Sequence, residues 1–195
     1  MKGQHKEENM NHFTLYAAGA RILPDELGTR ASDHNVPLIG KGQNKYTAGE
    51  TLRFYSDERS GYSLGDARQA YRTRKGLRHI LYLRAGAIVV IDEIERRRPF
   101  EVQLQLHPNG ETRASGDGIA VDSGDARLLA AFCDASGQTP TPRIAPYQGR
   151  RKGRATHDVR APFNMDSDAR LVTFLRFGPK GGVSEKGVEI APGEV

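Results

Sequence analysis

The chain has 195 residues, 37% of them hydrophobic and 27% charged, and at this length a soluble fold buries on the order of 70% of its unfolded surface in one large domain. No apolar run approaches the ~18 residues that a membrane span requires, and the charged opening Met1 to Glu8 has no apolar stretch behind it, so no secretory signal is read in this sequence. A formal net charge of +5 favours anionic partners (acidic polysaccharide, nucleic acid or a membrane surface) without choosing among them.

Short apolar or alternating runs, separated by Gly, Pro, Asp, Asn and Ser, predict strands joined by turns. The first runs are residues 13–16, ending at Gly19, then 36–39, ending at Gly40-Lys41-Gly42, then 51–55, ahead of a turn over 57–61. The clearest hairpin spans 77–94. Its first strand, 77–83, turns through Arg84-Ala85-Gly86 into 87–92, which is almost all β-branched, a composition expected of strands buried on both faces. Residues 101–107 alternate strictly, with Val102, Leu104 and Leu106 on one face and Gln103, Gln105 and His107 on the other. Further strands are predicted over 118–121, 127–133, 143–145, 156–159, 171–177 and 187–190. No stretch carries a sustained helical period with caps. The pattern predicts an all-β protein, a large antiparallel two-sheet β-sandwich occupying 1–195 as a single domain, with 138–152 as a flexible loop.

The lone cysteine, Cys133, lies in an apolar run and reads as a small buried hydrophobe, with no internal disulfide available. Two basic runs, Arg96-Arg97-Arg98 and Arg150-Arg151-Lys152-Gly153-Arg154, sit among turn formers and read as solvated loops. His12 supports a strand start, His79 reads as a satisfied core or edge histidine, and His107 ends the polar face of its strand, where it can face a cleft. Tyr62 and Tyr71 are phenols able to donate a proton if they line that cleft.

Three passages carry a resemblance. The first runs from His5 through Phe13-Thr14-Leu15-Tyr16 to Gly19, Asp25 and Gly28; the second is His34-Asn35-Val36-Pro37-Leu38-Ile39-Gly40-Lys41-Gly42-Gln43; the third is Gly65-Asp66-Ala67 with Tyr71, Arg78-His79 and Val89-Val90-Ile91-Asp92. In this order and with these gaps they resemble the C-terminal β-sheet domain of the heparinase II/III-like polysaccharide lyases. The resemblance covers residues 5 to 107, and beyond that only the strand pattern. That family pairs an N-terminal α-helical toroid with a C-terminal β-sandwich and binds sugar between them. The chain begins almost at the first passage, which leaves no room for the toroid. The expectation is therefore half a lyase site, incomplete without a helical domain in cis or trans.

The resemblance implies β-elimination at a uronic acid: a base removes the C5 proton beside the carboxylate, an acid assists the 4-linked oxygen, and a 4,5-unsaturated end remains. It assigns proton transfer to His5, an imidazole whose ordinary pKa of ~6.5 suits exchange near neutral pH. The opposing tyrosine belongs to the toroid. It also implies a structural zinc held by Glu7, Asp25 and His34, with Glu7 where the family usually has histidine. Carboxylates bind Zn²⁺ at ~2.0–2.2 Å, and two of them beside one imidazole also suit harder divalent ions. Without a metal, Asp25, His34 and Asn35 read as a hydrogen-bonded network that fixes a turn. Gln43, Asp66, Tyr71 and Arg78 match family positions and suit either turn-fixing or substrate contact.

Other classes remain open. A non-catalytic module that binds anionic polysaccharide fits the same features. A nucleic-acid-binding β domain fits the basic runs, but such proteins pair basic grooves with stacking aromatics. Here Trp is absent, aromatics are 7%, and only Tyr147 lies beside a basic run. A split gene product with a separately encoded toroid is a third arrangement. The resemblance implies acidic polysaccharide or oligosaccharide as partner, and the periplasm or cell surface as location.

Overall fold

The computed structural model describes residues 10–24, 28–40, 49–148 and 155–184. Its centre is the predicted hairpin, in which β6 (Lys75–Leu83) and β7 (Ala87–Glu95) pair from Lys75↔Glu95 to Leu83↔Ala87. Gly86, at φ +95°, closes the turn where an added Cβ would lie 2.4 Å from the Phe177 carbonyl oxygen. Upstream lie β1 (Leu15–Ala17), β2 (Ala20–Leu23), β3 (Pro37–Ile39), β4 (Glu50–Ser56), β5 (Ser60–Asp66) and a one-turn helix, α1 (Arg68–Tyr71). Downstream follow β8 (Phe100–Leu106), β9 (Glu111–Ser115), β10 (Gly118–Ser123), β11 (Ala126–Asp134), β12 (Arg143–Pro146), β13 (His157–Met165) and β14 (Asp168–Pro179).

Among the described residues, β4-β5-β6-β7-β14-β11-β10-β9 form one sheet, β12-β13-β8-β3 a second, and β1-β2 a separate hairpin. The two larger sheets pack as a sandwich, and their strand pairs are antiparallel. The strand period of two places Val90, Ile94, Leu171 and Leu175 inside the large sheet and Val102, Leu104, Val159 and Ala161 inside the small one, all in one core. Each fully buried large apolar side chain contributes about 1.5–3 kcal/mol.

The all-β sandwich expected from the sequence is the observed fold. Among the described residues three strands escaped the pattern: β2, β9 and β5, the last because its opening residues, Ser60-Gly61, fall within the turn read over 57–61. β7 is buried on its inner face and only half-buried on its outer one, so its β-branched run reflects strand preference rather than two-sided burial. β11 and the neighbouring β10 are closed on both faces: Leu129 packs outward with Ala120 and Val183, where residues 180–184 fold over the sheet. Cys133 is buried and free, and burial raises its thiol pKa. Of the segment 138–152, residues 138–148 are described and include β12; the rest, like 187–190, lies outside the described residues.

Candidate functional site

The three passages that carry the resemblance converge on one side chain. Arg78, on the inner face of β6, is 4% exposed, and Asp92, opposite on β7, is 1% exposed. The guanidinium binds both carboxylate oxygens, Nε to Oδ1 at 2.8 Å and Nη2 to Oδ2 at 2.9 Å. Its remaining nitrogen, Nη1, donates to the carbonyls of Asn11 at 3.0 Å and Asn35 at 2.8 Å. Burial alone would lower the Arg78 pKa, but the Asp92 carboxylate carries it above its ordinary value. A permanently charged fork thus ties the first passage, through Asn11, and the second, through Asn35, to the third.

Asn35, 1% exposed, extends this tie. Its Nδ2 donates to the Phe13 carbonyl at 2.9 Å and to that of Pro24 at 3.5 Å, and its Oδ1 accepts the His107 backbone N–H at 2.8 Å. Tyr71 donates its hydroxyl to the Met10 carbonyl at 3.3 Å. The Asn11 side chain lies over Gly65, where an added Cβ would meet its Oδ1 at 2.1 Å, so glycine there is what admits the first passage onto β5.

These contacts bring the first two passages together. The His12 and His34 rings meet edge-on with centroids 5.4 Å apart. His34 is buried, and its carbonyl accepts from Gln105 Nε2 at 2.6 Å. The expected proton-transfer residue, His5, and the expected ligands Glu7 and Asp25 lie outside the described residues, as does Gln43. His34 therefore supplies one buried imidazole. Among the described residues, no three His, Cys, Asp or Glu side chains group to hold a metal ion, and no step is derived through one.

Beside His34 stands a histidine that the sequence did not select. His107 is completely buried rather than facing a cleft, because the 31–36 turn and the chain around Tyr147 close over the polar face of β8. Its Nδ1 lies 3.8 Å from Asp158 Oδ1, and its ring meets Tyr147 edge-on at 5.3 Å. Burial pushes the imidazole down to about 4 despite the pull of Asp158 and Asp33. It is uncharged at neutral pH, and its contact with Asp158 is polar rather than an ion pair. Tyr147, whose hydroxyl reaches Asp33 Oδ1 at 3.5 Å, is pushed up to about 12 by burial and that carboxylate. The faint signal for this cluster was the Gln105–His107 alternation on a strand otherwise destined for the core.

The other sequence candidates resolve into supporting roles. Asp66 accepts the Arg68 backbone N–H at 2.9 Å and fixes the entry to α1. Tyr71 is 2% exposed in the core, and burial raises its pKa, so it is not a cleft proton donor. Tyr62 is bonded to His79 Nδ1 at 2.8 Å, and His79 Nε2 lies 4.0 Å from Glu93 Oε2, so the pair belongs to the outer face of β6 and has no part in the Arg78 cluster.

No family model matches the sequence, and no curated protein matches it. Solved structures do match the fold. Heparinase III superposes with a TM-score of 0.73 at 18% identity, over 91% of this chain and 31% of that one. The heparinase III BT4657 gene product gives 0.74 at 15%, over 93% and 32%. The heparan sulfate lyase HepC from Pedobacter heparinus gives 0.74 at 9%, over 93% and 31%. The chain spans about a third of the length of these structures. What it shares with them is the fold of the β-sandwich portion that it overlaps.

Proposed function

We propose that this sandwich supplies the β-domain half of a polysaccharide lyase site, acting on uronic-acid-containing polysaccharide by β-elimination once a helical domain completes the cleft. The observation that supports the reading is the convergence on Arg78, which gathers Asn11, Asn35 and Asp92 from the three passages into one buried cluster. In this reading His5 exchanges the C5 proton, and the helical domain provides the opposing acid. The residues after His5 reach a fixed point where Met10, Asn11 and Phe13 are held by Tyr71, Arg78 and Asn35. A rigid anchor downstream of a proton-transfer residue limits the positions it must search.

The reading includes a structural divalent ion on Glu7, Asp25 and His34, and a location in the periplasm or at the cell surface. Metal analysis of the purified chain, compared with Glu7→Ala and His34→Ala, tests the ion. Equal metal content in all three removes it from the proposal.

Elimination is tested by mixing the full chain with the separately produced helical domain of a uronate lyase and following ultraviolet absorbance of the unsaturated end. The expected result is activity from the mixture, little from either part, and loss in His5→Ala. Binding of uronate polymer without elimination in any mixture supports a non-catalytic binding module instead.

A further inference from the structure

The end of the large sheet carries a concavity of about 390 Å³ lined by Arg72, Thr73, Arg74, Arg96, Arg97 and Arg98. Two turns build it. One leaves α1 through Arg72, which adopts the left-handed conformation at φ 57°, and returns into β6; the other leads from β7 into β8. Backbone hydrogen bonds hold the turns in place, from Arg74 N–H to the Glu95 carbonyl at 2.8 Å and from Arg96 N–H to that of Ser167 at 2.7 Å. Arg74 pairs with Glu95 at 3.1 Å, and Arg96 lies over the Phe100 ring at 5.8 Å. Among the described residues no carboxylate pairs with Arg72, Arg97 or Arg98, and all three are exposed.

Five guanidiniums against one carboxylate repel one another, and the repulsion is relieved when anionic oxygens enter. Guanidinium forks match sulfate and carboxylate oxygens two at a time. Arginines on two separate turns fit a chain of anions better than a single ion. Among the described residues the pocket has no free aromatic face for base stacking: Phe100 is 8% exposed and covered by Arg96, and the exposed rings Tyr16, Phe54 and Tyr55 are not in its lining. We propose that this arginine pocket is a binding site for acidic polysaccharide, engaging its sulfate or carboxylate groups. It is separate from the His34–His107 cluster, because β8 runs from the pocket to His107 over seven residues, roughly 20 Å of strand.

The test titrates the full chain with a sulfated uronate hexasaccharide, an unsulfated one, and single-stranded DNA of matched charge, at low and physiological salt. The double variant Arg97→Ser/Arg98→Ser is compared with Arg59→Ser/Arg176→Ser, which removes equal charge elsewhere on the described surface. The expected result is a loss of about tenfold or more in hexasaccharide affinity for the first pair, under about twofold for the second, with unfolding midpoints unchanged. The hexasaccharide that shows the larger loss identifies the anionic group engaged. Equal losses in both pairs, no saccharide binding by the parent chain, or tighter arginine-dependent binding of DNA would overturn the proposal. Elimination enters none of these readouts, so the pocket stands or falls apart from the lyase reading.

Discussion

The guanidinium of Arg78 meets the carboxylate of Asp92 side-on across the β6–β7 pair, two nitrogens on two oxygens at 2.8 and 2.9 Å, in the interior of the sandwich. Removing one partner leaves a buried charge uncompensated, which costs about 3–5 kcal/mol. Arg78→Met and Asp92→Leu are each expected to lose that much stability in urea unfolding. In many proteins a matched apolar pair restores what the single changes lose. Here the double variant also strands the Asn11 and Asn35 carbonyls, so it should remain about 1–3 kcal/mol below the parent. Full recovery would show that Arg78 does not anchor the first two passages.

Asn35 makes the complementary prediction. It satisfies the Phe13 carbonyl and the His107 amide from one side chain. Asn35→Ala leaves both buried groups without that partner, an expected loss of about 2–4 kcal/mol. Hydrogen exchange locates the effect: the His107 amide should exchange faster in this variant even where global stability is restored by low temperature. An unchanged His107 rate would mean that this bond does not protect it.

Cys133 separates local burial from reactivity. Burial and the nearby Asp134 carboxylate both raise its thiol pKa, and its side chain is covered in β11. Thiolate is the reacting form, so the native chain should resist thiol-specific labelling at mildly alkaline pH. Labelling should proceed at once in denaturing urea. Rapid native labelling would place this part of β11 in exchange with solvent.

The sandwich was legible because its signal is local: alternation in β8, the β-branched run of β7 and the turn at Gly86 each follow from a few neighbouring residues. Strand β5 was not, since Ser60-Gly61-Tyr62-Ser63-Leu64-Gly65 earns its place by pairing with β4 and β6, which local propensity does not encode. The cluster divides in the same way. Arg78, Asp66 and Tyr71 were found by their match to passages, but whether each touches substrate or braces a turn depends on burial. His107 had no passage to mark it. Its environment comes from Asp158 and Tyr147, 51 and 40 residues further along the chain, and such pairings appear only when β13 lies beside β8.

That burial gives His107 a pH dependence of definite sign. In the unfolded chain its imidazole takes up a proton near 6.5; in the fold, desolvation holds that event down to about 4, with His34 and Arg160 also opposing the charge and Asp158 and Asp33 favouring it. Between those values the unfolded state binds more protons, so the contribution is complete above pH 6.5 and is lost as pH falls toward 4. The size is roughly 3 kcal/mol at most. Asp122 works in a lower window. Its carboxyl is held far below its ordinary 3.8, chiefly by hydrogen bonding to Arg127 and also by Lys180 and Arg113, so its contribution fades only as pH drops below that ordinary value. Urea unfolding from pH 7 to 2 should therefore show a decline that begins below pH 6.5 and continues below 4, and His107→Gln should flatten its upper part while leaving the lower. A variant that keeps the full decline between pH 6.5 and 4 would show that another group carries it.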